Sequence, residues 1–307
     1  MLYPFLLTPI YKNYIWGGHH IPAIFQRESN LKKIAESWEI SDRTEGMSVI
    51  ENGPLKGTPL AELFQNQKEA LMGKDIHHNR FPLLIKLIDA EEPLSIQVHP
   101  NDETAKQFGG EAKTEAWHIL DAKKDAVIYA GLNAHYSKEE ILKNLPSKKI
   151  LSLMRTLPVH KGDTFFIPGG RLHAIGSGCL ILEVQQNSNT TYRVYDWGRD
   201  RPLHLKEAEQ VLLYDDISNP HILPKLINQT PDFAQIELIR TPYFIIERWE
   251  LRKKIKWPKL ENQSEMLFCL QGENSLIPVG RSCLIPAKCS PPIIETKNTT
   301  FFRVFLP

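Results

Sequence analysis

From Phe81 onward the chain is dominated by apolar runs of four to seven residues, broken by proline, glycine and asparagine. Leu83–Asp89, Leu94–Val98, Ala116–Leu120, Ala126–Leu132, Thr164–Ile167, Leu180–Gln186 and Tyr192–Trp197 are rich in Val, Ile, Leu, Phe and Tyr, which predicts short, closely spaced β-strands. Many strands with turn residues between them argue for a sandwich or barrel. Helical periodicity is confined to a few stretches. Pro59–Met72 is the clearest: Leu60, Leu63, Phe64 and Leu71 share a face, Thr58 is placed to cap it, Pro59 suits the first turn and Gly73 stops it. Asn101–Phe108, capped by Asn101 or Asp102, Ser137–Leu145, with Ser137 and Glu140 at capping-box spacing, and Leu205–Leu213 are shorter candidates.

The first 57 residues read as irregular apart from a short strand at Glu36–Ser41 (ESWEIS). The stretch 215–231, with Pro220 and Pro224 and little periodicity, reads as a connection. Beyond it, Gln235–Arg240, Tyr243–Arg252, Glu265–Leu270, Ser282–Ile285 and Phe301–Phe305 form a second set of strands. No repeat or like-charge block interrupts this order. The pattern predicts a mainly β fold in two units: a larger one over 1–215, a connection over 216–231, and a smaller β domain over 232–307.

Composition narrows the functional classes. With 37 Lys+Arg against 36 Asp+Glu, the formal charge of +1 provides no global field for nucleic acid or an anionic membrane. No stretch approaches the ~20 uninterrupted apolar residues of a membrane span. The run Leu2–Ile10 contains Pro4 and Pro9 and lacks the basic region of a signal peptide. Cys179, Cys269, Cys283 and Cys289 are too few for a disulfide scaffold at 307 residues and lack CxxC spacing, so reduced thiols and a cytoplasmic location are expected.

Chemistry enters at Ser95-Ile-Gln97-Val-His99-Pro. Alternation along a strand puts Ser95, Gln97 and His99 on one face, an arrangement that a half-exposed polar sheet face also produces. Farther on, Gly162-Asp-Thr-Phe-Phe-Ile-Pro168-Gly169-Gly170-Arg171-Leu172-His173 fits G-x5-P-x-G-x2-H, in which a tight turn aims the histidine inward as the next strand begins. This string resembles the second sequence box of the cupin superfamily. The first box is modified: Gln97-x-His99 replaces His-x-His, and Glu115 follows a long insertion. Gln97, His99, Glu115 and His173 together make a cage for a divalent cation. Two imidazoles, a carboxylate and an amide oxygen suit zinc, and also manganese, iron or cobalt.

Five strings then point to one family: Tyr14-x-Trp16-Gly17; Pro93-Leu-Ser-Ile-Gln-Val-His-Pro-Asn-Asp102; Lys113-Thr-Glu-Ala-Trp117; Phe166-Ile-Pro-Gly-Gly-Arg-Leu-His173-Ala-Ile-Gly; and Glu183-Val-Gln-Gln-Asn-Ser-Asn-Thr-Thr-Tyr-Arg193-Val-Tyr-Asp-Trp-Gly-Arg199. In order, from about residue 3 to about residue 210, they closely resemble the short bacterial form of the type I phosphomannose isomerases. The resemblance implies a cupin jelly-roll barrel with a few short helices and a second, smaller β domain. It also implies interconversion of mannose 6-phosphate and fructose 6-phosphate with one bound zinc. By position Gln97, His99, Glu115 and His173 match the family's zinc ligands and Arg193 its active-site arginine. Gly169-Gly170-Arg171 stands where other members have a small residue and glycine.

An aldose–ketose isomerisation through an enediolate needs a general base and positive charge near the sugar oxygens. Glu183 is preferred as base over Lys113, which is better placed to polarise the sugar because it shares a face with Glu115. Arg193 and Arg199 flank the Val-Tyr-Asp-Trp-Gly segment as phosphate binders, with Lys86 as a point charge; Arg199 and Arg201 read equally as solvated charges. Ser95 shares the Gln97–His99 face and can donate to phosphate or sugar, and Trp16 is either a wall for the sugar or core. The competing functions are a non-catalytic sugar-binding cupin, which does not need Lys113, Glu183 and Arg193 together, and an iron-dependent cupin dioxygenase, which does not need Gln97.

Overall fold

A computed structural model describes residues 2–74 and 76–307; Met1 and Asp75, both inside the larger unit expected from the sequence, lie outside it. Three antiparallel sheets hold most of the strands. The central one has seven strands in the order His221–Ile222, Thr164–Ile167, Glu115–Ala122, Cys179–Gln186, Leu83–Ala90, Glu36–Ile40, Ile10–Lys12. A five-stranded sheet, Met154–Pro158, Val127–Leu132, His173–Ile175, Ile96–Val98, Tyr192–Tyr195, packs on one face of it and closes the jelly roll. The second seven-stranded sheet packs on the other face; its order is Phe5–Leu6, Ser282–Ile285, Glu265–Asn274, Thr296–Phe305, Ile245–Leu251, Phe233–Arg240, Lys225–Gln229. The fold is mainly β and of cupin type, as the sequence predicts.

This layering explains why the middle strands are apolar throughout. Along Leu83–Ala90 every residue is buried, with Leu83, Ile85 and Leu87 packed toward the second sheet and Ile88 and Ala90 inside the jelly roll. Leu180, Leu182 and Val184 join the first group and Ile181 the second. Each fully buried aliphatic side chain contributes about 1.5–3 kcal/mol, so the two-sided core holds the central sheet rigid. A polar residue at an inward position of this sheet, such as Lys86 or Glu183, is correspondingly costly and needs a partner.

The helices form where the periodicity puts them, at Leu60–Met72, Asp102–Phe108, Lys138–Asn144 and Leu205–Val211. The cap of the first differs from expectation. Pro59, in extended backbone (φ −65°, ψ 146°), occupies the N-cap itself, so Thr58 stands one position too early to cap. Asn101 caps the second helix, accepting from Thr104 N at 2.8 Å, and Ser137 caps the third, accepting from Glu140 N at 3.1 Å.

The opening segment is more ordered than its pattern suggests. It contributes strands Phe5–Leu6 and Ile10–Lys12, helix His20–Phe25 and a small hairpin, Asp42–Arg43 with Gly46–Met47. Strands of two or three residues carry no readable alternation, and their partners are remote: Phe5 pairs with Leu284 across the second sheet. The stretch 216–231 carries two strands, His221–Ile222 on the central sheet and Lys225–Gln229 on the second.

Candidate metal and substrate site

Two turns bring the donor residues together. After the strand Ile96–Val98 the chain turns through His99-Pro100-Asn101, and before His173 it turns through Pro168-Gly169-Gly170. A Cβ on Gly169 would sit 2.6 Å from Pro100 O and Asn101 Cα, so only glycine allows the two turns to touch. Gly170, at φ +92°, then donates its N–H to His99 O at 2.7 Å. Register does the rest: His173 lies opposite Gln97 in the five-stranded sheet, and Glu115 enters from the start of its strand on the central sheet.

His99, Glu115 and His173 are buried, and one donor atom from each lies within 4.8 Å of the others. His173 Nε2 is 3.4 Å from Glu115 Oε1, and His99 Nε2 is 3.8 Å from Glu115 Oε2. His173 Nδ1 donates to Arg171 O at 2.9 Å, which fixes its proton on Nδ1 and leaves the Nε2 lone pair free, as a metal-ligating imidazole requires. Gln97 reaches the same point, its amide nitrogen 3.3 Å from His173 Nε2; turning the amide over puts its oxygen there.

The residues fit a divalent cation. Glu115 Oε1 is buried and has no hydrogen-bond partner among the described residues. A positive group already rests among the donors: Lys113 Nζ is 2.8 Å from Glu115 Oε2 and 3.0 Å from His99 Nε2. Burial holds His173 down to about 3 and His99 well below the ordinary imidazole value, so both present lone pairs. Burial, with Glu183's charge behind it, pushes the Glu115 carboxyl up to about 7 against the pull of Lys113. Neutral imidazoles beside a carboxylate that resists ionising describe a cluster short of positive charge, and a cation supplies it.

The cluster adjoins a cavity of about 300 Å³, with Gln97 and Lys113 lining the cavity and touching the cluster. Trp16, Lys86, Ser95, Glu183 and Arg193 also line it, so the structure gathers ten of the eleven residues singled out by sequence. Arg199 is the exception: it is not among the lining residues, and its guanidinium donates to Pro93 O at 2.8 Å and lies 3.5 Å from Asp196. Arg201 lines the cavity in its place, held by both oxygens of Asp196 at 2.6 Å. Arg193 donates to Pro202 O at 2.9 Å while its buried Nε has no partner among the described residues.

Sequence reasoning missed the group around Lys86. On the central sheet Trp38, Lys86, Glu183 and Trp117 stand side by side on four adjacent strands. Lys86 Nζ lies 3.4 Å from Glu36 Oε2 and 3.4 Å from Glu183 Oε1. Each carboxylate also takes an indole N–H: Trp38 Nε1 donates to Glu36 Oε2 at 2.6 Å and Trp117 Nε1 to Glu183 Oε2 at 3.0 Å. Burial opposes the Lys86 charge, but Glu36 and Glu183 outweigh it and raise its pKa. Burial likewise pushes Glu183 up, yet Lys113 and Lys86 together hold it below the ordinary carboxylate value, so it is ionised. The one available signal was the Glu-x-Trp spacing in ESWEIS, which puts both side chains on one strand face.

A jelly roll carrying two histidines and a glutamate at the edge of a polar cavity defines a cupin with a candidate metal centre. The family model for the catalytic domain of type I phosphomannose isomerase matches residues 5–141. The mannose-6-phosphate isomerase ManA of Bacillus subtilis is 37% identical over 282 residues, 89% of this chain and 87% of the relative. A mannose-6-phosphate isomerase of Streptococcus mutans is also 37% identical, over 82% of this chain and 80% of its own. The solved structure of the mannose 6-phosphate isomerase from Bacillus subtilis superposes with a TM-score of 0.89 at 30% identity, covering 99% of both chains. The chain belongs to the type I phosphomannose isomerase family.

Proposed function

We propose that this protein interconverts mannose 6-phosphate and fructose 6-phosphate in the cavity lined by Gln97, Lys113, Glu183 and Arg193, with zinc held by Gln97, His99, Glu115 and His173. The observation that carries this reading is a buried carboxylate oxygen, Glu183 Oε1, which has no hydrogen-bond partner among the described residues and belongs to a residue lining the same cavity that the donor cluster adjoins. A bound divalent cation there supplies Lewis-acid stabilisation of negative charge on the sugar oxygens.

The protein's own residues account for the proton. Glu183, ionised and buried at the cavity wall, takes the proton from C2 of the aldose as an enediolate forms, and returns it to C1; the hydroxyl proton passes from O2 to O1, so the products balance without any redox partner. Lys113 keeps positive charge beside the developing oxyanion. Arg193, with its free Nε, and Ser95 hold the phosphate and the sugar hydroxyls, and Trp16 walls the sugar. Arg201 steadies Asp196 at the rim rather than acting alone. The substrate is a small sugar phosphate, and the place of action is the cytoplasm, a reading supported by four buried free thiols.

A coupled assay on mannose 6-phosphate before chelation, after it, and after addition of zinc tests the proposal. Loss and recovery of turnover are expected. Activity unmoved by thorough metal removal would overturn the metal assignment.

A further inference from the structure

The cation–carboxylate–indole group of the active site occurs a second time, in the second seven-stranded sheet. Arg303 there sits between Glu247 (3.4 Å) and Glu265 (2.9 Å), as Lys86 sits between Glu36 and Glu183. Trp249 Nε1 donates to Glu247 at 2.7 Å from two residues along the same strand, as Trp38 does to Glu36. Trp257 Nε1 donates to Glu265 at 2.7 Å, as Trp117 does to Glu183. In both sheets the Glu-x-Trp strand, the cation strand and the second glutamate's strand are neighbours in that order.

The two groups differ in what they leave unsatisfied. Glu265 is complete: Oε2 accepts from Trp257 and from Arg303 Nε at 3.0 Å, while Oε1 pairs with Arg303 Nη2 and accepts from Leu260 N. Glu183 accepts one hydrogen bond, from Trp117, on Oε2, while Oε1 faces the Lys86 ammonium 3.4 Å away and accepts no hydrogen bond among the described residues. Trp117 also packs its ring edge-on against His173, with centroids 5.5 Å apart. A single donor on Oε2 pins the carboxylate's orientation and leaves Oε1, ion-paired with Lys86 but not hydrogen-bonded, with lone pairs still to offer.

We infer that Trp117 is a positioning residue of the isomerase: its indole N–H orients Glu183 so that Oε1 is the oxygen that meets the substrate carbon. The inference rests on Glu183 as the base. Glu265, held from both sides, is the same device in its purely structural form. Losing the N–H therefore costs turnover at Trp117 and only stability at Trp257.

Paired substitutions test this. Trp117→Phe keeps an aromatic ring against His173 and deletes the donor; kcat should fall about 10- to 100-fold with KM within about 3-fold, because an interaction needed only in the transition state is lost. Exchange of the C2 proton with solvent should fall in parallel, and bound metal per chain should stay at the wild-type level. Trp257→Phe, which removes the same bond from the other sheet, should keep kcat within about 2-fold while lowering Tm. Should Trp117→Phe fail to fold, 3-benzothienylalanine at 117, with sulfur in place of the N–H, is expected to give the same kcat loss. Wild-type kcat and exchange in the folded 117 variant, or equal losses of kcat in the 117 and 257 variants, would overturn the inference. Glu183→Gln separates it from its premise: normal turnover there refutes Glu183 as base, whereas an inactive Glu183→Gln beside a fully active Trp117→Phe refutes the positioning role alone.

Discussion

The central sheet and the second sheet each bury a cation between two indole-capped glutamates, and only one of them lines the cavity beside the metal-site donors. The difference lies in the cation. Arginine at 303 offers a planar fork that pairs both oxygens of Glu265 and also reaches Glu247, so neither oxygen of Glu265 is left without a partner. Lysine at 86 is a point charge 3.4 Å from Glu36 Oε2 and from Glu183 Oε1, with no fork to pair both oxygens of either, which leaves Glu183 Oε1 ion-paired but without a hydrogen bond. Partial satisfaction of a buried polar group is destabilising, and here it is the property that chemistry requires.

The largest effect expected from breaking this comparison is at the metal cluster, which has no counterpart in the Arg303 group. Glu115→Gln removes the one carboxylate among the donors and should lower turnover by about 10³-fold or more, with bound metal per chain falling in step on elemental analysis. Next, Glu183→Gln should reduce kcat by about 10²-fold or more without loss of folded protein, because a general base is removed. Its counterpart Arg303→Met should leave kcat of the folded protein unchanged and cost about 3–5 kcal/mol in denaturant unfolding, since two buried carboxylates lose their partner. A variant of Arg303 that folds as well as wild type would break the proposed division of labour.

A smaller, pH-dependent effect belongs to the seam between the sheets. His118 bonds Thr164 Oγ1 at 2.9 Å and lies 4.8 Å, centroid to centroid, from the Phe302 ring. Burial, aided by Arg248 and opposed by Asp163, lowers its pKa to about 3. The unfolded chain binds this proton below about pH 6.5 and the folded one does not, so stability is full above that pH and declines as pH falls toward 3. His118→Gln should flatten this acid limb in urea titrations at pH 7 and pH 4. The smallest effect is among the arginines of this segment: Arg193→Ala should raise KM for mannose 6-phosphate about 10-fold or more, Arg199→Ala less than about 2-fold. Equal effects would return Arg199 to the phosphate site.

Much of this was legible in the chain. Period-2 alternation placed Gln97 beside Ser95 and His99, the proline and glycines of 168–170 marked the turn before His173, and Asn101 and Ser137 announced their helices. Thr58 was misread because a proline in extended backbone took the cap position. Arg199 and Arg201 were not told apart, because residues two apart flank the same turn, and which of them faces the cavity depends on where Asp196 is anchored. Glu36, Trp38 and Trp117 were read as strand and motif residues without a role, since Lys86 and Glu183, which join them into one group, lie on other strands.

By itself, the sequence determined which side of its own strand each donor takes, where the turns and caps fall, and which family the chain resembles, because alternation, backbone sterics and capping act over a few residues. Only the tertiary structure decided that Lys86, Glu183 and Trp117 stand in one row and that a similar group recurs around Arg303. The corresponding strands follow a different chain order in the two sheets, 36–40, 83–90, 179–186 against 245–251, 296–305, 265–274, so no repeat is visible along the chain. Strand register across such separations is settled by burying both faces of the central sheet at once, a collective energy that no local stretch of residues encodes.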